Sequence, residues 1–450
     1  MDVRHSNHSD SELDLEYHLH AMTNPVTAKQ QGMSFVESAE GVYVTIDGRR
    51  FQDGWSGLGC ANIGYGNEKV CDAAYKAMRT LSFYHSIHLA NHNATRLAAK
   101  LAQLTNGDFQ KFFFVATGSD AIESAIKIAW RYWRLKGQPQ RRMLLARQYA
   151  YHGNTIVAAS ISGIEIFHEQ FGLPLPGLVR HVDAPYHHRH GQGLTPEEFG
   201  MHAAESLDRA IREIGAENVA AFVVEAVQTS FGMVLPPSGY FEEIASICKQ
   251  HGVLMICDEI VTGFGKLGTM FGYQSFNYTP DIIACAKGLT SAYFPMSAVG
   301  ISEEIATVMS AADEAFAHGF TNCANPVASA VALANISVIE DEGLVAHVRD
   351  VLAPRLAAAL AKIAEIPGVG EVRSIGILGA VDMARPGAID DEGANLSEAI
   401  FEAAKERGLL LRVLGTSITT VFPMITTVVQ LDAALAILHA SVEEVCARSA

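Results

Sequence analysis

Apolar positions along this chain fall into two repeating patterns. Short runs that are apolar almost throughout recur at 111–116, 143–146, 220–224, 253–257 and 282–286. Between the first two, Ile122, Ala125, Ile126, Ala129 and Trp133 return at helical spacing. A strand with one wet face alternates, whereas a strand apolar on both faces must be covered on both. The pattern therefore predicts an α/β protein, with a large, mostly parallel sheet and helices on both faces. Val42, Val44 and Ile46 do alternate, and Asp47-Gly48 follows them, which reads as a strand and a tight hairpin turn. Past residue 330 an Ala-rich stretch runs to Ile366, and strand-like segments at 370–373, 377–383, 409–412 and 418–422 surround a helix at 396–407. This is the texture of a smaller α/β domain. The expected division is 1–69 as an N-terminal arm with part of the small domain, 70–330 as the large domain and 331–450 as the C-terminal small domain. The first 25 residues read as a loose arm lying on the rest. His187-His188-Arg189-His190, between Pro185 and Gly191, reads as a solvated loop rather than a metal site.

Composition supports a folded chain and narrows its partners. Half of the 450 residues (49%) are hydrophobic and 18% are charged, enough apolar surface for a large core. The net charge of −16 argues against general binding to nucleic acid or anionic membrane. No segment approaches the length of an apolar membrane span, and the polar first 20 residues lack the pattern of a secretory signal. Seven cysteines without a C-x-x-C pair suggest neither a disulfide framework nor a zinc ribbon, so the cytoplasm is the expected home.

Chemistry gathers where the apolar runs stop. Thr117-Gly118-Ser119-Asp120 follows the first, Tyr151-His152-Gly153 comes shortly after the second, and Glu225, Asp258-Glu259 and Lys287-Gly288 follow the others. In open α/β sheets ligands bind beyond the carboxyl ends of the strands. Gly118 and Ser119 at a helix start can cradle a phosphate or simply cap the helix. Asp258 can meet a cation, a protonated ring nitrogen or a structural ion pair. A desolvated Lys287 has its amine freed for Schiff-base chemistry, though a lysine there can also snorkel to the surface. Tyr151 and His152 can stack on a planar ligand or pack. Gly263-Phe264-Gly265-Lys266-Leu267-Gly268 fits G-x-G-x-x-G, but 269–277 is not an amphipathic helix, so a dinucleotide site is dismissed.

Taken together these segments resemble the class III (omega-type) aminotransferases, pyridoxal 5'-phosphate (PLP) enzymes of fold type I, similar to omega-amino acid and amine–pyruvate transaminases. The resemblance runs from about Asp53 to Thr427 and is strongest at 254–265 with Pro280-Asp281 and at 286–291. It implies that Lys287 carries the cofactor and moves the substrate proton, that Asp258 meets the pyridinium nitrogen, and that Tyr151 stacks on the ring with His152 beside it. It implies that Gly118 and Ser119 bind the phosphate, that Glu225 orders the Asp258 side, and that Val261 lies against the ring. Thr321, in His318-Gly319-Phe320-Thr321, would reach the phosphate of a partner's PLP, so a homodimer with shared sites follows, and its pairing into a tetramer is left open. Many relatives carry Leu-Trp-Cys where this chain has Leu58-Gly59-Cys60, which implies a wider pocket at Gly59. Tyr84, His85 and Ile87 fall where the family lines the pocket. Arg412 matches an arginine that grips a substrate carboxylate and swings aside for an amine. The chain departs from the family at Ala226, Thr229, Lys266-Leu267-Gly268 and Asn322-Cys323-Ala324-Asn325, none of them expected to touch the catalytic set. The implied activity is a ping-pong transfer of an amino group from an amine or omega-amino acid to a keto acid such as pyruvate, through pyridoxamine phosphate and without a metal. An aminomutase, a decarboxylating transaminase, a racemase and a non-catalytic PLP-fold binding protein are the alternatives.

Overall fold

The computed structural model describes residues 9–191, 193–388 and 391–449. Its largest sheet has seven strands, in the spatial order Lys111–Val115, Ser297–Ile301, Ile282–Cys285, Leu254–Asp258, Val219–Glu225, Met143–Arg147 and Val179–Val182. Ser297–Ile301 runs antiparallel to both neighbours, and the pairings from Ile282–Cys285 outward are parallel. Val219–Glu225 and Ile282–Cys285 are buried along their whole length. Alternate residues feed two cores: Leu145, Phe222, Val224, Met255 and Cys257 join one, and Leu144, Ala146, Ala221, Val223 and Ile256 join the other. This is the covering of both faces that uniformly apolar strands require.

Helix Gly118–Leu135 shows how the pieces dock. It opens on a capping box between Thr117 and Asp120, and its face of Ala121, Ile122, Ala125, Ile126, Ala129 and Trp133 is buried against the sheet. Trp133 Nε1 donates to the Ala220 carbonyl at 2.9 Å, which fixes the helix over the central strands.

Among the described residues there are two further sheets, each of four strands. One joins Glu371–Ile375, Leu378–Asp382, Ser417–Val421 and Arg412–Leu414, antiparallel throughout. The other pairs Val36–Glu40, Tyr43–Ile46 and Arg49–Asp53 with Leu409–Leu410, so that early and late parts of the chain share one sheet. Among the described residues no helix is long and apolar enough to cross a membrane.

The described part of the arm holds two short helices: Asp10–Tyr17 starts on a Ser9/Glu12 capping box and Pro25–Gln31 on Asn24, and the Asp14 carboxylate takes both the His18 and the His20 ring. One sequence expectation is corrected. The segment at 187–190 is not solvated but a helical turn with His188 and Arg189 buried. His188 Nε2 lies 3.0 Å from the Ala384 carbonyl and Arg189 donates to Thr416 Oγ1 at 2.8 Å. Partners from the smaller sheet region replace water, which no local pattern can announce.

Candidate active site

The strand ends converge on a cavity of about 370 Å³ lined by residues from each of the chemical segments. Parallel pairing puts Glu225 and Asp258 side by side as register partners, both buried at the last positions of their strands. Asp258 is held from two directions, by the His152 ring (Nδ1 to Oδ2, 2.9 Å) and by the Ile260 amide (to Oδ1, 3.0 Å). Glu225 accepts the Tyr151 amide at 3.1 Å. Arg147, fully buried, donates to the Glu225 carbonyl at 2.5 Å. Burial pushes the Glu225 carboxyl up to about 7, against the pull of the His152 and Arg147 charges.

Lys287 follows the neighbouring parallel strand, at positive φ (42°) where it gives way to a 3-10 turn, and lines the same cavity. Desolvation holds its amine below the ordinary lysine range, opposed by the charges of Cys60 and Asp258. The Tyr151 phenol is raised, mainly by desolvation, and its ring lies 5.1 Å from that of Phe167.

The third element is the start of helix Gly118–Leu135. The capping box occupies the amides of Thr117 and Asp120, and a helix start leaves further N–H groups and a positive dipole end for an anion. Gly118 has no room for a side chain, since a Cβ would stand 2.9 Å from Ile260 Cδ1. At Gly153 a Cβ would stand 2.4 Å from Ser119 Oγ, and that hydroxyl accepts the Asn154 amide at 3.0 Å. The two segments thus close on each other around Ser119.

Gly118, Ser119, Tyr151, His152, Glu225, Asp258, Val261 and Lys287 therefore share one cavity. Gly59 adjoins it: a Cβ there would meet Trp55 at 3.7 Å and Val261 at 3.8 Å. Arg412 is exposed at the start of Arg412–Leu414, its guanidinium 5.0 Å from the Trp55 ring centre, and its charge reaches both Tyr151 and Lys287. Tyr84, His85, Ile87 and Thr321 are not brought in; all are exposed and outside the cavity lining.

Some lining residues were not singled out from sequence as site residues: Cys60, Val227, Thr229, Ser230 and Ile260. Thr229 and Ser230 follow the strand that ends at Glu225; that position was the only signal for Ser230, whereas Thr229 already stood out as a departure from the family. The expectation that the departures from the family stay clear of the catalytic set is corrected at Thr229, which lines the same cavity as Lys287 and Asp258. Lys266 is fully buried, its Nζ finds no hydrogen-bond partner, and desolvation followed by the neighbouring Lys287 charge lowers it to about 7.

Comparison with known proteins decides what kind of site this is. The profile of the family described as aminotransferase class-III matches residues 26–442. The chain belongs to the class III aminotransferases. It is 35% identical to the putrescine–pyruvate aminotransferase of Pseudomonas aeruginosa, over 93% of this chain and 92% of that one. Among solved structures, it is similar to an (S)-enantioselective omega-transaminase from Thermomicrobium roseum (TM-score 0.92, 37% identity, 97% and 98% coverage). It is similar too to the omega-transaminase of Pseudomonas jessenii in complex with PMP (TM-score 0.92, 32% identity, 97% and 98% coverage). A further match is a thermostable omega-transaminase with one tryptophan replaced by glycine, engineered for asymmetric synthesis of enantiopure bulky amines (TM-score 0.93, 32% identity, 98% and 100% coverage). Class III aminotransferases use PLP, and fold type I is the fold shown here. The donor set of this aminotransferase fits the cofactor: a side-chain-free approach at a helix start for the phosphate, a doubly held carboxylate for the ring nitrogen, and a desolvated amine lining the same cavity.

Proposed function

We propose that this class III aminotransferase takes its amino group from bulky primary amines or omega-amino acids and passes it to pyruvate in two half-reactions on the same pocket. When bound, PLP supplies the electron sink that stabilises charge at the donor carbon. In this reading Lys287 holds the cofactor and moves the proton at the donor Cα through its Nζ. Asp258 is turned toward the ring nitrogen by His152 and the Ile260 amide, which hold its two oxygens. Ser119, Gly118 and the helix dipole hold the phosphate, and Tyr151 and Val261 bracket the ring.

The observation that carries the donor preference is Gly59. It is buried beside Trp55 and Val261 at φ 65°, and a Cβ there would make ordinary contact at 3.7 to 3.9 Å, so at this point the wall carries no side chain that could narrow the pocket. A solved relative engineered for asymmetric synthesis of enantiopure bulky amines likewise carries a glycine, in place of a tryptophan. Arg412 supports the two halves. Exposed and resting over Trp55, it can meet the carboxylate of pyruvate or an omega-amino acid bidentately and turn to solvent for an uncharged donor.

The same reading makes the enzyme a homodimer. Residues 81–89 expose Leu81, Phe83, Tyr84, Ile87 and Leu89, an apolar density more typical of an interface than of a free surface. Tyr84, Ile87 and Thr321, outside this chain's own cavity, would then complete the partner's. Its seven free cysteines suit a reducing compartment. The test is a half-reaction followed by absorbance. Bulky and small amines are added to the PLP enzyme, and pyruvate is then added to recover the starting spectrum. Gly59→Trp should slow bleaching by bulky amines about tenfold or more while sparing small ones. Equal slowing of both would overturn the role of Gly59, and light scattering showing a monomer would overturn the shared site.

A further inference from the structure

One wall of the cavity is held by a cluster that no step of the transfer uses. The chain that contributes Val227, Thr229 and Ser230 leaves Val219–Glu225, forms a bridge between Gln228 and Val234, and passes through Gly232. Gly232 sits at φ 84°, and a Cβ on it would stand 2.6 Å from Ser417 Oγ and 3.1 Å from Arg373 Nη2. The loop is thus pressed onto the sheet of residues 371–421.

The contact is polar and buried. The Gly232 carbonyl accepts two hydrogen bonds from Arg373, from Nε at 3.0 Å and Nη2 at 2.6 Å. The same Nη2 reaches Asp382 at 3.0 Å and Ser417 Oγ at 3.1 Å, and Nη1 pairs with Glu371. Asp382, fully buried, also takes the Tyr186 hydroxyl and Thr416 Oγ1, each at 2.7 Å, and the Ala384 amide at 3.1 Å. Tyr186 comes from the segment before the buried turn at 187–190, and its ring centre lies 5.2 Å from the Arg373 guanidinium.

A planar guanidinium with two fixed N–H vectors on one carbonyl sets that carbonyl's position in a way a single ammonium cannot. A buried ion pair is weak evidence for stability but a good device for fixing one arrangement. Here the arrangement fixed is three residues away from Thr229 and two from Ser230.

We propose that Arg373 is a positioning residue for donor binding: through the Gly232 carbonyl it fixes the wall of Val227, Thr229 and Ser230, so that the smaller antiparallel sheet sets the shape of the amine pocket. The inference rests on reading the cavity as the amine site.

Two variants of the PLP enzyme test it, each measured with a small and a bulky amine against pyruvate and each melted. Arg373→Lys keeps a charge for Asp382 and gives up the two-point grip on Gly232. Gly232→Ala leaves every charge in place and pushes the loop off its seat. Both should raise the KM for the bulky donor about tenfold, shift the preference between the two donors, and leave kcat within about threefold. A lower melting temperature with KM and donor preference unchanged would overturn the proposal, since that is what a merely structural arginine gives. So would a fall in kcat alone. Should both variants fail to fold, Ser417→Ala removes one contact of Arg373 and must show the same KM split at lower amplitude. If the wild type turns over no bulky amine, the donor preference proposed above fails. Arg373 is then still judged by the KM split on whichever donor the enzyme accepts.

Discussion

The two sides of the cavity are built on opposite principles. On the cofactor side, Asp258 and Glu225 sit at paired strand ends, and His152, the Ile260 amide and the Tyr151 amide hold them. On the donor side, Gly59 offers no side chain and Arg412 lies in the open against Trp55. Tyr84 and Ile87 stand outside this chain's cavity altogether. Groups that do the same chemistry in every turnover are fixed by a sheet edge and by each other, which removes reorganisation from the reacting step. In the proposed cycle, the groups that would meet two different substrates are a glycine, an exposed arginine and residues that a partner would supply.

The sharpest way to break this division is to cut one group on each side. Asp258→Asn should lower kcat by about 10² to 10³-fold with every donor, the scale seen when a preorganised electrostatic partner is lost. Arg412→Ala should cost about tenfold in KM, and only for substrates that carry a carboxylate, as expected for one charge-assisted pair at a wet site. Steady-state kinetics across an omega-amino acid and an uncharged amine reads both. A donor-dependent loss in Asp258→Asn, or a uniform loss in Arg412→Ala, would erase the distinction between the two sides.

Lys266 sharpens the comparison because it is a fully buried amine, lowered in part by the Lys287 charge, whose Nζ finds no hydrogen-bond partner. Its folded pKa, about 7, lies below the ordinary 10.5. Between those values the unfolded chain binds the proton and the folded chain does not, so stability rises with pH across the window. Lys266→Met should therefore stabilise the protein at pH 7, by about 2 to 4 kcal/mol after relaxation is allowed for, and the gain should shrink toward pH 10. Urea unfolding of both proteins at the two pH values measures it. A gain that does not change with pH would mean that the amine is not shifted.

How much of this could be read from the chain depends on where each feature gets its partners. The uniformly apolar runs announced the covered sheet, and the polar residue closing each run announced Glu225, Asp258 and Lys287, because strand burial and strand ends are local facts. Ser297–Ile301 went unread: Gly300 and Ser297 blunt its apolar signal, and its antiparallel place depends on the strands on either side. Val179–Val182 was hidden by Arg180 and His181 in its middle. The turn at 187–190 looked wet because His188 and Arg189 find their acceptors at Ala384 and Thr416, some 200 residues on. Lys266 looked harmless for the converse reason: nothing local tells that its surroundings offer no acceptor.

Glu225 gives the smallest effect and the most exacting check on the cofactor side. Burial raises its carboxyl to about 7 from an ordinary 4.5, and the His152 and Arg147 charges only partly oppose this. Between pH 4.5 and pH 7 the folded chain keeps a proton that the unfolded chain has released, so this group makes stability fall as pH rises through the window. Glu225→Gln keeps an acceptor for the Tyr151 amide and removes the titration. The stability of the variant relative to wild type should therefore climb by about 1 to 3 kcal/mol between pH 4.5 and pH 7.5 and stay level above. Turnover at pH 8 should change by less than about threefold, since the amide contact survives. A flat difference across the window would show that Glu225 is charged at its ordinary pKa. Arg147 and His152, rather than a retained proton, would then be what makes a charged Glu225 tolerable beside its register partner Asp258.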